Sequence, residues 1–373
     1  MTRTARLFPL VVLFSCVGVK TAAPTPSCAE LPGAELLTPG GLFVFGELHG
    51  TRELPAAVGE LACHAARRGR VVVGLELKAD PSFAAFEQLQ GEALRRGLLA
   101  GPAWSTPMQD GRTSTAMLAL LERLAGLRAA GAPIELLLFD ADASGDVTRD
   151  QAMAALVRAR RAATPGATML VLTGNLHALK TKGSPWKRDD AYEWMSSLLP
   201  DATTFDASTP LGTAWVCSGQ DASSCGARVV QARPGAARTT ALSRRAARGY
   251  DGVLDVGALT ASPPALGAPA DFDATLARLM TGPDAALGLA LADYEQGDFA
   301  GCAARLDKLP APGARALYSH ACCLARAGRV DDAFDKLRGA LAAGLKNRRA
   351  LEQDEDLAPL RADPRWGALL TTP

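Results

Sequence analysis

Four apolar runs in the first half of the chain each end on a charged or polar group, with helical periodicity between them. Leu42–Phe45 runs into Gly46-Glu47-Leu48-His49-Gly50, and Val71–Leu75 into Glu76. Ile134–Phe139 runs into Asp140 and Asp142, and Met169–Thr173 into Gly174-Asn175-Leu176-His177. Continuous apolar runs of this length are the mark of parallel strands buried on both faces. Glu53–Arg68 carries Leu54, Ala57, Val58, Leu61 and Ala65 at helical spacing, and Ser114–Ala130 repeats the pattern. Arg149–Ala163 and Arg188–Leu199 are the expected helices after strands three and four. The expected fold is α/β: a mainly parallel sheet with helices on both faces, joined by right-handed crossovers. All carboxyl ends of such a sheet lie on one edge, where ligands bind. Two of the chain's four histidines therefore meet two glutamates and two aspartates on one rim.

Histidine can take and return a proton near neutral pH, and a neighbouring carboxylate fixes its tautomer. Glu47 and His49 alternate around Leu48 and so face one side of an extended segment. The chain has no Gly-x-Ser-x-Gly elbow, and no cysteine neighbours these histidines. Water is then the expected attacker on an ester, lactone or amide. In that scheme His49, oriented by Glu47 or Glu76, is the base, and His177 is the acid or oxyanion partner. A second chemistry uses Glu47, His49, Glu76 and His177 as ligands of Zn, Mn or Co, although no HExxH spacing is present. Candidate substrate-binding residues are Arg52 and Asn175, inside the histidine motifs, and Asp110 and Arg112 on the polar loop Trp104–Ser114, placed as a lid. Asp140 and Arg149 complete the set. Plainer roles compete: Asp140, Asp142 or Asp150 as helix caps, Glu53 as partner of a helix dipole, and the loop as a solvated connection. Lys180, Lys182, Lys187 and Arg188 suit either a phosphate or a solvated loop.

The order Gly46-Glu47-Leu48-His49-Gly50-Thr51-Arg52-Glu53, then Glu76, then Gly174-Asn175-Leu176-His177 resembles the erythromycin esterase/ChaN/Tiki–TraB superfamily over roughly residues 40–260. The first element lacks the extra residue that macrolide esterases carry between Glu and His. The resemblance implies a hydrolase acting through the Glu/His set. Its Tiki-like branch implies a divalent metal. Its ChaN branch implies an exported haem-binding lipoprotein, with His49 or His177 available to iron.

Arg3 and Arg6 precede an uncharged run, Leu7–Val19, too short to span a bilayer but suited to a signal peptide. Leu13-Phe14-Ser15-Cys16 reads as a lipobox with Cys16 lipidated; cleavage after Thr21-Ala22-Ala23 is the competing choice. Either way the expected location is the cell envelope, with membrane association by lipid anchor only. Eight cysteines in an exported chain point to disulfides. Cys217 and Cys225 flank a polar turn between two β-like pieces at hairpin spacing, Cys28 can reach Cys63, and Cys302 can pair with Cys322 or Cys323. A net charge of +1 with no basic stretch interleaved with aromatics argues against nucleic acid.

The expected organisation is a signal peptide over 1–23, a linker over 24–40 and the α/β domain over 41–259. A Pro/Gly/Ala linker follows over 260–281, then an all-α region over 282–373. There Gly297-Asp298-Phe299 and Gly328-Arg329-Val330 sit at equivalent turns, and the packing positions resemble tetratricopeptide-like repeats closed by a capping helix over Asp354–Leu370. A plain helical bundle has similar spacing. Such repeats imply a protein partner, beside the small-molecule substrate or ligand of the rim.

Overall fold

The computed structural model describes residues 27–183, 189–208, 211–219, 221–230, 239–245, 247–345 and 348–371. The segment 1–23 with Cys16, expected from the sequence to direct export, and Lys187 and Arg188 lie outside them. Among the described residues, β1 (Leu42–Glu47), β2 (Val71–Leu75), β3 (Ile134–Leu138), β4 (Thr168–Gly174) and β5 (Ala202–Ser208) belong to a seven-stranded sheet. β6 (Gly212–Cys217) and β7 (Cys225–Val230) form a separate antiparallel hairpin. β8 (Thr240–Ser243) and β9 (Gly252–Val256) complete the sheet, in the order β3-β2-β4-β1-β5-β9-β8. Every pairing in it is parallel except β8 with β9. The fold is α/β with a helical C-terminal region.

Strand alternation divides the core. Phe43, Phe45, Val73, Leu75, Leu170 and Leu172 face α1 (Glu53–Ala66) and, beyond the short α2 (Ala85–Gln88) and α3 (Gly91–Leu99), α4 (Thr115–Ala129). Leu42, Val44, Val72, Met169 and Val171 face the other side, covered by Met153 and Val157 of α5 (Arg149–Ala163) and by Met195. Each such side chain, fully buried, contributes about 1.5–3 kcal/mol. Phe45 stacks on Phe205 at 5.5 Å between ring centres, fixing β5 beside β1. The outcome of both packings is that β1, β2, β3 and β4 end together on one rim.

Several expectations change. The helix over Arg188–Leu199 is, in its described part, only a 3₁₀ turn at Met195–Leu198. The Met195 N–H goes to Asp150 and the Ser196 N–H to the His177 carbonyl, so neither is available to a helix. The segment 24–40 is packed in its described part rather than a free linker: Leu31, Ala34 and Leu37 are buried, and Cys28 is bonded to Cys63. Within 260–281, Ala261 and Pro264 bridge to Thr51 and Ser114, and α6 (Phe272–Thr281) packs Phe272, Leu276 and Leu279 under the β6–β7 hairpin. Pro and Gly around that segment conceal a short amphipathic helix.

Beyond it, α7 (Pro283–Glu295) with α8 (Phe299–Leu306), and α9 (Ala314–Arg326) with α10 (Val330–Ala342), form two successive helical hairpins. Gly297 and Gly328 hold their turns at φ of 80° and 78°, a region an L side chain enters at a cost. Cys302 is bonded to Cys323, Cys217 to Cys225, and the Cys322 thiol is buried. His320, also buried, has its pKa lowered to about 4 by desolvation. α11 (Arg348–Gln353) leads not to one capping helix but to two short ones, α12 (Ala358–Arg361) and α13 (Arg365–Thr371). Pro364, which has no N–H to give, separates them. Among the described residues no helix is long and apolar enough to cross a membrane.

Candidate functional site

Glu47 is the last residue of β1 and Glu76 the first after β2; both are buried. His49 donates from Nδ1 to Glu47 Oε1 at 2.8 Å, and its Nε2 lies 3.5 Å from Glu76 Oε2. Carboxylates only accept here, so the ring sits between two acceptors with a proton for each. Burial opposes the charged ring, but Glu76 and Glu47 outweigh it and raise the His49 pKa to about 10. His49 is an imidazolium at neutral pH.

Glu76 is also held from below. Its Oε2 accepts from Thr173 Oγ1 at 2.6 Å and the Gly174 N–H at 2.7 Å, and its Oε1 from Arg149 at 2.7 Å. Burial would favour its neutral form, yet the cationic groups around it lower its pKa well below the ordinary range. A Cβ at position 174 would stand 3.1 Å from His49 Nε2, close enough that the ring would have to give by a few tenths of an ångström.

His177 has different partners. Its Nδ1 lies 2.6 Å from Asp150 Oδ1, and its Nε2 lies 2.8 Å from Arg149 Nη1. A guanidinium can only donate, so Nε2 carries the lone pair and Nδ1 carries the proton given to Asp150. Two carboxylates thus flank the His49 ring, while a guanidinium faces Nε2 of His177.

Asp150, offered by the sequence as a possible helix cap, lies in the site instead. The cap is Thr148, whose side chain accepts from the Gln151 N–H while the Gln151 side chain reaches back to Thr148. Asp150, freed from capping, accepts from His177, from Tyr192 Oη at 2.6 Å and from the Met195 N–H at 2.8 Å. Burial opposes its charge, and these bonds lower its pKa regardless. Thr-Arg-Asp-Gln is itself a capping-box pattern, a signal that was available. Tyr192 and Thr173 had no sequence signal.

Asp140 sits between two guanidinia, bonded by Arg112 Nη1 at 2.7 Å and Arg149 Nε at 2.9 Å. Arg112 also pairs with Asp110 at 2.7 Å and stands 3.6 Å from Glu76. The four rim carboxylates Glu47, Glu76, Asp140 and Asp150 are at most 4 % exposed, whereas Arg112 and Arg149 are 28 % and 30 % exposed. The site is layered, with acids as the floor and cations facing out. A cavity of about 260 Å³ opens beside it, walled by Glu76, Leu77, Lys78 and Asp140 on one side and Met108 and Arg112 on the other.

Other candidates fall elsewhere. Arg52 lies 3.7 Å from Asp273 of α6, outside the rim. Asn175 acts through its backbone, donating to the Glu47 carbonyl and accepting from Tyr250 Oη at 2.7 Å. Asp142 pairs with Lys78, and Lys180 with Asp251. Lys182 pairs with Glu193. The donor set does not fit a divalent metal as it stands, since Glu76 is saturated by Thr173, Gly174 and Arg149. His177 meets a guanidinium, which repels a cation. Haem fits no better: both Nε2 atoms face charged groups, and the adjoining cavity is charged where a macrocycle needs apolar walls.

No protein-family model and no curated protein matches this chain. Among solved structures it is similar to the type III effector HopBA1, at 14% identity and a TM-score of 0.30, over 56% of this chain and 97% of that one. A likeness that low carries no argument about function.

Proposed function

We propose that the rim is a hydrolytic site in which water attacks an ester, lactone or amide carbonyl. The observation that carries this is the pair of imidazoles on either side of Glu76, His49 set between two carboxylates and His177 between Asp150 and the Arg149 guanidinium. His177 Nε2 takes a proton from water as its oxygen bonds to the carbonyl carbon. Asp150 stabilises the imidazolium so formed. His49, already protonated, donates to the developing oxyanion and then to the leaving oxygen or nitrogen as its bond to carbon breaks. One water is consumed and an acid and an alcohol or amine leave; His177 then releases its proton to solvent and His49 takes one up from solvent, so both rings return to their starting states. Arg149 must first swing away from Nε2, and its ion pairs to Asp140 and Glu76 keep it within reach of the oxyanion. The disulfides support an exported location.

The test is turnover of aryl-ester, lactone and anilide probes. The wild type should hydrolyse at least one class, and His177→Gln and His49→Gln should each lower turnover by about 10²–10⁴-fold with little change in substrate affinity. Wild-type protein inert to all three classes, or either variant at full activity, would overturn the proposal.

A further inference from the structure

The β6–β7 hairpin belongs to neither the sheet nor the helical region, yet it contacts two of the loops that build the rim. Trp215 donates its backbone N–H to the Gly50 carbonyl at 2.9 Å, one residue beyond His49. Gly50 has φ of 71°, and a Cβ on it would stand 2.1 Å from the Trp215 carbonyl oxygen, so the two backbones meet with no room for a side chain. The Trp215 indole donates from Nε1 to the Gln109 carbonyl at 2.8 Å. The Cys217–Cys225 disulfide lies against the same place, with Cys217 Sγ 3.6 Å from the Gln109 carbonyl and Cys225 Sγ 3.8 Å from Met108 Sδ.

Gln109 in turn shapes the loop. Its amide donates to the carbonyls of Trp104 and Thr106, and its oxygen accepts from Thr113. Gly111, at φ of 97°, lies so close to Gly50 that a Cβ would fall 2.4 Å from the Gly50 nitrogen. Arg112, beside it, reaches Asp140 and Glu76 in the rim and pairs with Asp110. The loop is therefore fixed by the hairpin at Met108–Gln109 and by the His49 loop at Gly111, and between those points it walls the 260 Å³ cavity.

We propose that the disulfide-closed β6–β7 hairpin is the positioning element of the site. Trp215 and the Cys217–Cys225 bond register loop 103–113 against the His49 loop and so set how tightly the cavity holds substrate. The kinetic arm rests on the hydrolase proposal; the structural arm does not.

Two variants of the full-length exported protein test it: Cys217→Ala/Cys225→Ala, which opens the hairpin, and Trp215→Phe, which keeps a ring but removes the donor to Gln109. Hydrogen exchange of backbone amides should accelerate over 103–113 in both, while β1 and β4 stay as protected as in the wild type. On a probe that the wild type hydrolyses, KM should rise about tenfold, the loss of one good contact, with kcat within about threefold. Unchanged exchange over 103–113 in Trp215→Phe overturns the positioning role. So does faster exchange there with a wild-type KM. If the wild type hydrolyses nothing, the hydrolase proposal falls, while the exchange pattern still decides the hairpin's role. Should the double variant fail to fold, Trp215→Phe carries both measurements alone.

Discussion

Replacing His49 with glutamine removes a cation from between Glu47 and Glu76 while leaving an amide that can still donate to Glu47. The folded protein raises the His49 pKa from 6.5 to about 10, three and a half decades of proton affinity, and at about 1.4 kcal/mol per decade the ceiling is about 5 kcal/mol. Solvent touches the ring, which is 19 % exposed, and the resulting screening lowers the expected contribution to about 2–4 kcal/mol. A group whose folded pKa is raised stabilises fully below its unfolded value, and that contribution is lost as pH climbs through the folded one. The window is therefore pH 6.5 to about 10. Urea unfolding of wild type and His49→Gln across this range is the assay. Tyrosine and lysine ionisations near its upper end affect both proteins and cancel in the difference. The wild-type advantage should shrink by about 2–4 kcal/mol between pH 6.5 and 10. A difference independent of pH would mean that His49 is neutral in the folded protein, and the proton donor of the proposed mechanism would be lost.

Asp150→Asn can offer an N–H to His177 Nδ1 and so favour the tautomer that leaves Nε2 protonated; turnover should fall about 10²–10⁴-fold. Tyr192→Phe, which leaves Asp150 charged but with one fewer donor, should lower turnover far less, and its unfolding free energy should fall by about 1.5–3 kcal/mol. Equal losses of turnover in the two variants would show that Asp150 does not set the tautomer. Gly174→Ala keeps an ordinary backbone but places a methyl 3.1 Å from His49 Nε2 and 3.6 Å from Glu76 Oε2. Turnover and the pH window of His49 should both shift, with a stability change near 1 kcal/mol; a variant with wild-type kinetics would separate His49 from the chemistry.

Of the strands that build the rim, β1, β2 and β4 were legible because each is buried on both faces and so reads as an unbroken apolar run, while the edge strand β3 is half-buried beyond Ile134 and was legible from its leucines. β5, Ala-Thr-Thr-Phe-Asp-Ala-Ser, was not, since its threonines and aspartate interrupt the pattern, and only Phe205 against Phe45 declares it a core strand. Glu47, His49, Glu76 and His177 came together because strand ends in a parallel sheet must. Their protonation states were not legible. Those depend on which partner faces each Nε2, and Arg149 reaches His177 from the helix after β3, a proximity set by the third dimension alone. Arg52 was misplaced for the same reason: adjacency to His49 in sequence does not survive the turn into α1, where it faces Asp273. The 260–281 segment shows the converse limit. Pro and Gly mark where a chain changes direction, not whether the stretch between them finds an apolar surface, and α6 finds Trp215.

The resting rim satisfies itself, and that constrains what can enter it. Arg149 spends its Nε on Asp140, its Nη2 on Glu76 and Asp140, and its Nη1 on the His177 lone pair. Freeing that lone pair leaves one guanidinium donor and one imidazole acceptor without partners in a partly enclosed place, which costs free energy unless both are refilled. A simple anion would satisfy the guanidinium and leave the imidazole unmet, and a simple cation would do neither. A carbonyl with an attendant water meets both needs: its oxygen accepts from Arg149 and His49, and the water donates to His177. Under the proposed hydrolysis, the pairing that holds Arg149 against His177 would select for the reaction's two components and keep the proposed base occupied until they arrive together.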